Sequence, residues 1–317
     1  MNVGLTGATG HLGSLLLDRL VADSDVVSVR SVARRALPES AAGSSRKVHH
    51  VQADLRSPDA RRGLAGVDLL YHLGFQLWAP RRSASAASDM EAANVAGTAN
   101  VLAAGPAAVV LASSAAVYGA WPDNPVPLGE EAPARPNKQC AYASHKLTAE
   151  GLCADAAPSV ALRIGAVLGP HADPVVARAA RGYRRVVPAV RGVTQALQFV
   201  HEDDAAAALV AAGAALLGSR VTGVVNVATA DWLSARDISK IAGGRVVALP
   251  RSLLIALAEA GRWARAVPFG ADRAALLAGP MALSVRRAAD LLGWRAQRSS
   301  AEVLAGAVGA AGHGPAW

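Results

Sequence analysis

Cysteine is almost absent from this 317-residue chain: Cys140 and Cys153 are the only two, and neither has a C-x-x-C partner or metal-ligand spacing. That excludes a disulfide framework, a zinc module or a dithiol redox motif, and reads both as reduced, structural thiols. Lysine is nearly as scarce, with Lys47, Lys138, Lys146 and Lys240 alone, so the formal net charge of +8 is carried by arginine. The arginines are scattered, without interleaved aromatics or a nucleic-acid motif, which argues against a nucleic-acid partner. Their excess fits surface solubility and leaves room for an anionic cofactor or substrate. No uninterrupted apolar run is long enough to span a bilayer. The chain opens on the strand-like Val3-Gly4-Leu5 instead of a charged stretch followed by an apolar one, so a soluble cytoplasmic protein with no membrane partner is expected.

What is abundant is small and aliphatic. Hydrophobic residues make up 52% of the sequence and aromatics only 4%, a balance suited to many packed helices against a Val- and Leu-rich sheet. Strand-like runs at Val3–Thr6, Val26–Ala33, Val48–Gln52, Leu69–Leu73, Val109–Ser113 and Ala161–Gly165 alternate with helical stretches, the mark of βαβ units. An α/β chain with a Rossmann-type doubly wound parallel sheet and a smaller, mainly C-terminal lobe follows. The dinucleotide domain is expected over 1–170, with 196–228 returning to it, and the lobe over 171–195 and 229–317. Helices are expected at Asp203–Leu217, Leu283–Trp294 and Ala301–Val308, a strand at Val221–Val227, and a frayed glycine-rich tail from Gly309.

Directly after the first strand comes Thr6-Gly7-Ala8-Thr9-Gly10-His11-Leu12-Gly13, then an apolar helical stretch. Glycines here allow a tight turn, close approach of backbone N–H groups to a pyrophosphate and dense helix-on-strand packing. At the end of the second strand a carboxylate would select a free ribose 2′-OH, but Arg34-Arg35 stands there. Two guanidiniums suit a 2′-phosphate, so NADP(H) is expected in preference to NAD(H). After the third strand, Asp54 is placed either to accept from an adenine amino group or to cap a helix.

A serine pair, Ser113-Ser114, ends the fifth strand, and Tyr142-Ala143-Ser144-His145-Lys146 follows. Spacing i, i+4 puts Tyr142 and Lys146 on one helix face. A phenol titrating near pH ~10 is a poor acid–base group at neutral pH until a neighbouring cation favours its phenolate. Tyr142 as acid/base, Ser114 orienting the substrate oxygen and Lys146 tuning the phenol form a working set for hydride transfer coupled to proton transfer. With four tyrosines and four lysines in the chain, such a pair arises by chance in about one sequence in twenty, before the serines are required.

At these residues the chain resembles the extended short-chain dehydrogenase/reductase superfamily, in its NAD-dependent epimerase/dehydratase branch. Thr6–Gly13 resembles the nucleotide loop, Val67-Asp68-Leu69-Leu70-Tyr71-His72-Leu73-Gly74 the fourth-strand motif, and Asn94-Val95-Ala96-Gly97-Thr98 the central-helix motif. Leu162–Pro170, Gln198–Asp204 and Asp290–Trp294 also match family segments. The resemblance implies that Leu55, Leu73 and Gly74 adjoin the cofactor, that Lys146 also holds the nicotinamide ribose, and that Asn94 lies behind the site in a structural or catalytic role. It also implies a homodimer paired through Ala92–Ala104 and Ala141–Cys153.

The chain departs from the nucleotide-sugar pattern. Ala166 stands where those enzymes generally place an asparagine, and Leu197 where they tend to carry a diphosphate-binding arginine, although Arg178, Arg184 or Arg191 could compensate. Ala115 and Ala116 replace the acidic pair of dehydratases. Phe75, Leu77, Trp78, Trp121 and Tyr183, with Ser113, are the candidate substrate-pocket residues. The expected activity is therefore that of an NAD(P)-dependent ketoreductase or alcohol dehydrogenase on a small, relatively apolar metabolite, with no metal. The alternatives are a sugar or nucleotide-sugar epimerase that retains NAD, and a non-catalytic redox sensor, although in sensors the tyrosine or lysine is commonly lost.

Overall fold

A computed structural model describes residues 1–38, 45–78, 84–263 and 270–309. The expected tail at 310–317 lies outside them. The aliphatic runs become β1 (Asn2–Thr6), β2 (Ser28–Ala33), β3 (Val48–Gln52), β4 (Leu69–His72), β5 (Val109–Ser114) and β6 (Ser159–Ile164). Further along lie β7 (Ala166–Leu168), β8 (Val186–Val190), β9 (Phe199–His201), β10 (Gly223–Val227) and β11 (Arg245–Leu249). Seven strands form one parallel sheet in the order β10-β6-β5-β4-β1-β2-β3. The central strands are buried along nearly their whole length, which is why they read as continuous apolar runs instead of alternating ones.

Helices cover both faces. On one, α1 (His11–Ala22) and α7 (Glu202–Gly218) lay Leu16, Leu20, Leu209 and Leu216 over Val3, Leu5, Val110 and Leu162. On the other, α2 (Pro58–Gly63), α4 (Gly97–Leu102) and α5 (Ala141–Ala156) pack Ala60, Val101, Ala149 and Cys153 on Val32, Leu70, Val109 and Leu111. Successive strand residues serve opposite layers because side chains alternate across a strand. Burial pushes the Cys153 thiol up to about 12 and raises Cys140 as well, as suits inert core thiols. Between α3 (Ala84–Glu91) and α4 lies one π-helical turn, Ala92–Ala96.

The remaining helices are α6 (Pro174–Gly182), α8 (Ala235–Ala242), α9 (Arg251–Trp263), α10 (Ala271–Leu276), α11 (Arg286–Leu292) and α12 (Ser300–Gly309), with the parallel pair β8–β11. Of these, α11 packs Ala288 and Leu292 into the main core, while α6, α8 and α12 share a separate core with Val187 of β8, here called the lobe. Residues 223–227 return to the edge of the main sheet beside β6. The helix expected from Leu283 begins only at Arg286. Leu283 donates its N–H to Gln198 Oε1 and accepts from Gln198 Nε2, which holds that residue extended, and Gly293 at φ 61° ends the helix before Trp294. No helix among the described residues is long and apolar enough to cross a membrane.

Candidate active site

The glycine loop sits where the strand order reverses, between β1 and β4, the crevice in which this architecture binds ligands. Gly7 has φ 77°, and a Cβ there would meet the Gly74 backbone; one at Gly13 would be driven into the Gly7 carbonyl. Gly10 caps α1 with no side-chain hydrogen bond, and no acidic residue lies in the first turn. Uncapped amides at a positive helix end form a cradle for a pyrophosphate, so the residues present fit a dinucleotide. Leu12 is half-buried against the core. Leu55 fills the space beside Gly74 and Gly97.

A buried polar chain runs behind the loop. Thr6 Oγ1 accepts from the N–H groups of Leu73 and Gly74 and lies 2.7 Å from His72 Nδ1; His72 Nε2 is 2.8 Å from Thr98 Oγ1, which donates to the Asn94 carbonyl. With Thr98 donating onward, His72 carries its proton on Nε2 and accepts from Thr6 at Nδ1. A second ring proton would face an oxygen that already accepts twice. Burial, and then the Lys146 charge, push the imidazole down to about 3. His72 is a neutral strut between loop and helices.

The two ends of that chain hold the residues of the reaction centre. Asn94, fully buried in the π-helical turn, accepts from Gln76 N–H at 2.7 Å and donates to its carbonyl at 3.0 Å. It thereby fixes the segment after β4 that carries Phe75 and Trp78. Helix α5 is fastened to the sheet at two points one turn apart. Lys146 Nζ donates to the Ala112 carbonyl at 2.6 Å, and Glu150 pairs with Arg163 of β6 at 2.7 Å with both side chains nearly inaccessible. Tyr142, Lys146 and Glu150 thus form one i, i+4, i+8 stripe facing β5 and β6. Ser113 donates to Glu150, so it braces the helix instead of lining the pocket, while Ser114, on the opposite strand face, lies beside Tyr142 and favours its phenolate.

Burial raises the Tyr142 phenol, and the nearby Arg273 charge and the Ser114 hydrogen bond oppose it. Burial pushes Lys146 down to about 7. Its ammonium sits 3.6 Å from the centre of the Phe75 ring and 5.8 Å from that of Tyr142, and Phe75 meets Tyr142 edge to face. A cation over an aromatic face recovers part of the hydration lost on burial.

Several expected residues do other work. Arg35 Nη2 donates to the Thr9 carbonyl at 2.6 Å, tying the second strand to the glycine loop, while Arg34 stands exposed. Asp54 pairs with Arg56 at 2.8 Å, which lowers its pKa, and the cap of α2 is Ser57, so the capping reading of Asp54 is corrected. His11 Nε2 contacts the buried Glu202 at 2.6 Å, and His171 Nδ1 its other oxygen at 2.7 Å. Burial alone would push Glu202 up, but the hydrogen bonds from His11 and His171 outweigh it and hold the carboxyl at about 2. Tyr183 is packed in the lobe core with Leu168, Val187 and Ile238, because its ring fills the space under α8 instead of standing at a pocket.

The pocket aromatics are not bare. Arg273 of α10 lies 4.1 Å from the Trp78 ring centre and 5.0 Å from that of Tyr142, and donates to the Leu77 carbonyl at 2.9 Å. Trp121 lies between Arg135 and Arg251. The apolar pocket expected from the aromatics is therefore corrected to an aromatic surface with guanidiniums stacked on it. Arg273 escapes sequence reading because no motif surrounds it and 131 positions separate it from Tyr142. Glu150 was accessible as the next member of the Tyr142–Lys146 stripe. Among the described residues no group of histidine, cysteine or acidic side chains is arranged to hold a metal ion.

A doubly wound parallel sheet with a glycine cradle at its switch point, beside Ser114 of β5 and Tyr142 and Lys146 of α5, defines a Rossmann-type fold. Residues 3–228 match the sequence model of the NAD dependent epimerase/dehydratase family, and the chain belongs to that family. The protein named "Uncharacterized protein Rv0501" of Mycobacterium tuberculosis is 30% identical over 218 residues, 65% of this chain and 57% of its own length. The chain thus matches little more than half of that relative. Among solved structures, MoeE5 in complex with UDP-glucose and NAD is 24% identical, with 98% of each chain covered and a TM-score of 0.70. The UDP-glucuronic acid 4-epimerase of Bacillus cereus, with UDP-glucuronic acid and NAD, is 20% identical, with the same coverage and a TM-score of 0.71. At these identities the likeness establishes the fold.

Proposed function

We propose that the protein is an NAD-dependent epimerase that oxidises a secondary alcohol of a sugar or nucleotide-sugar and reduces it again, retaining its cofactor. The observation that carries this reading is the set of Ser114, Tyr142 and Lys146 at the crevice edge, with guanidiniums over the aromatics where an apolar substrate would need bare surface. NAD, held by the loop at Gly7, Gly10 and Gly13 and by Lys146, supplies the hydride acceptor and donor. Tyr142 takes the proton of the substrate hydroxyl and later returns it to the carbonyl oxygen. Ser114 holds that oxygen beside the phenol, and Lys146 and Arg273 favour the phenolate. No cofactor is consumed.

A second reading, an NADP-dependent ketoreductase, is favoured by the exposed Arg34, which is free to meet a 2′-phosphate, and by Ala166 and Leu197 in place of nucleotide-sugar anchors. One experiment separates the two. The purified protein is incubated with UDP-glucose and UDP-glucuronate, epimers are followed by proton NMR, and absorbance at about 340 nm is recorded with carbonyl compounds and NADPH. Epimer formation without added cofactor supports the first reading. Steady NADPH oxidation without epimer supports the second.

A further inference from the structure

We propose that Arg273 is the recognition residue for an oxyanion, a carboxylate or phosphate, carried by the substrate next to the carbon whose hydroxyl Tyr142 serves. The inference rests on the reading of Tyr142 as the acid–base group and names the substrate class of that site. Three observations carry it.

The guanidinium of Arg273 is placed at the reacting end of the pocket: its centre lies 5.0 Å from the Tyr142 ring centre, nearer than the Lys146 ammonium at 5.8 Å. Trp78, whose ring centre lies 4.1 Å away, flanks the same guanidinium.

Its donors are largely unspent. A guanidinium has five N–H groups in a planar fork; here Nη2 donates to the Leu77 carbonyl, and Nε is buried with no hydrogen-bond partner. The nearest carboxylate, Asp272, lies 3.9 Å from Nε, beyond hydrogen-bonding distance. A half-buried cation with unused donors beside a reacting group is matched by a planar or tetrahedral oxyanion, which takes two of the fork's bonds at once.

The surroundings repeat the pattern. A cleft of about 700 Å³ lined by Gln139, Arg251 and Ala271, among others, opens against the start of α5 and α10. Arg251, stacked on Trp121, also has Nε and Nη2 buried without a hydrogen-bond partner. Arg251 is thus a second guanidinium with unused donors near the site, in a cleft that also carries the Glu259 carboxylate.

The test uses the full-length protein with NAD and three probes: UDP-glucuronate for the carboxylate, glucose 6-phosphate for the phosphate, and UDP-glucose for the neutral hydroxymethyl. Binding is measured by calorimetry and hydride transfer by single-turnover absorbance, for wild type, Arg273→Gln and Arg273→Lys, with melting temperatures as the control for folding. At least one anionic probe is expected to bind the wild type roughly tenfold or more tightly than UDP-glucose. Arg273→Gln should abolish that preference in binding, with less than about a threefold change in UDP-glucose affinity while hydride transfer slows for every probe, and Arg273→Lys should restore part of the preference. Whichever anionic probe loses affinity identifies carboxylate or phosphate.

Equal binding of UDP-glucose and UDP-glucuronate by the wild type, with no tight binding of glucose 6-phosphate, overturns the proposal, as does an equal loss for all probes in Arg273→Gln at unchanged melting temperature. Anion preference without hydride transfer would leave Arg273 assigned and sink the epimerase reading; turnover without charge preference would do the reverse. No binding of any probe overturns both.

Discussion

Individual side chains in this protein are held by pairs of partners, and the consequences of removing one are correspondingly specific. In the proposed reaction Tyr142 carries the proton chemistry, so Tyr142→Phe is expected to lower turnover by about 10²–10⁴-fold while leaving cofactor affinity nearly unchanged, as steady-state kinetics and a dinucleotide titration would show. Gly13 lies against the Gly7 carbonyl with no room for a methyl group. Gly13→Ala should cost about 2 kcal/mol or more in urea unfolding and weaken dinucleotide binding with it. Lys146 is buried at the expense of stability. Its folded pKa of about 7 lies below its ordinary 10.5, so the cost of burying the ammonium is fully present below pH ~7 and is relieved as pH rises toward ~10.5. Lys146→Met is therefore expected to be inactive yet more stable than wild type by ~2–4 kcal/mol at pH ~6, the gap closing by pH ~10.5. A gap that does not change with pH would contradict the burial argument.

At the scale of elements, what the sequence displayed depended on how local the cause was. Strands β1, β4, β5 and β6 declare themselves through apolar runs because neighbours bury nearly all of each, whereas β3 has no fully buried residue and α5 shows itself through the Tyr142–Lys146 spacing. Strands β8 and β11 were hidden: they are five residues each, one lies in an arginine-rich stretch, and β11 is largely exposed, so no hydrophobic pattern marks them. Leu283 lost its expected helical state to Gln198, a partner 85 residues away. The contact between α1 and α7 is similarly non-local, since His11 and Glu202 meet only in the fold. Glu202 has a folded pKa of about 2 against an ordinary 4.5, so its contribution is present above pH ~4.5 and is lost as pH falls toward ~2. Glu202→Gln should destabilise by ~1–3 kcal/mol at pH ~7, with the difference from wild type shrinking as the solution is acidified through that window. Equal destabilisation at both ends would show that the hydrogen bonds, not the charge, matter.

For the whole molecule, the sheet and α5 carry the glycine loop and the Tyr142–Lys146–Glu150 stripe, and α9 and α10 bring Arg251 and Arg273 to the aromatics Trp121, Trp78 and Tyr142. The placement of the glycine loop after β1 and of Ser114, Tyr142 and Lys146 on β5 and α5 was legible because it is fixed by short spacings on one strand end and one helix. The substrate side was not, because its cations come from α9 and α10, distant in sequence and unmarked by any motif, and the aromatics alone suggested an apolar pocket. Homodimer formation through Ala92–Ala104 and Ala141–Cys153 remains a proposal to be checked by sedimentation. The measurement that bears most directly on an NAD-dependent reaction at this site is the identification of dinucleotide released by heat from the purified protein, beside titration of NAD and NADP into wild type and Gly13→Ala. NAD(H) stoichiometric with the chain, absent from Gly13→Ala, is the expected result; a wild-type protein that releases no dinucleotide and binds neither NAD nor NADP saturably would contradict it.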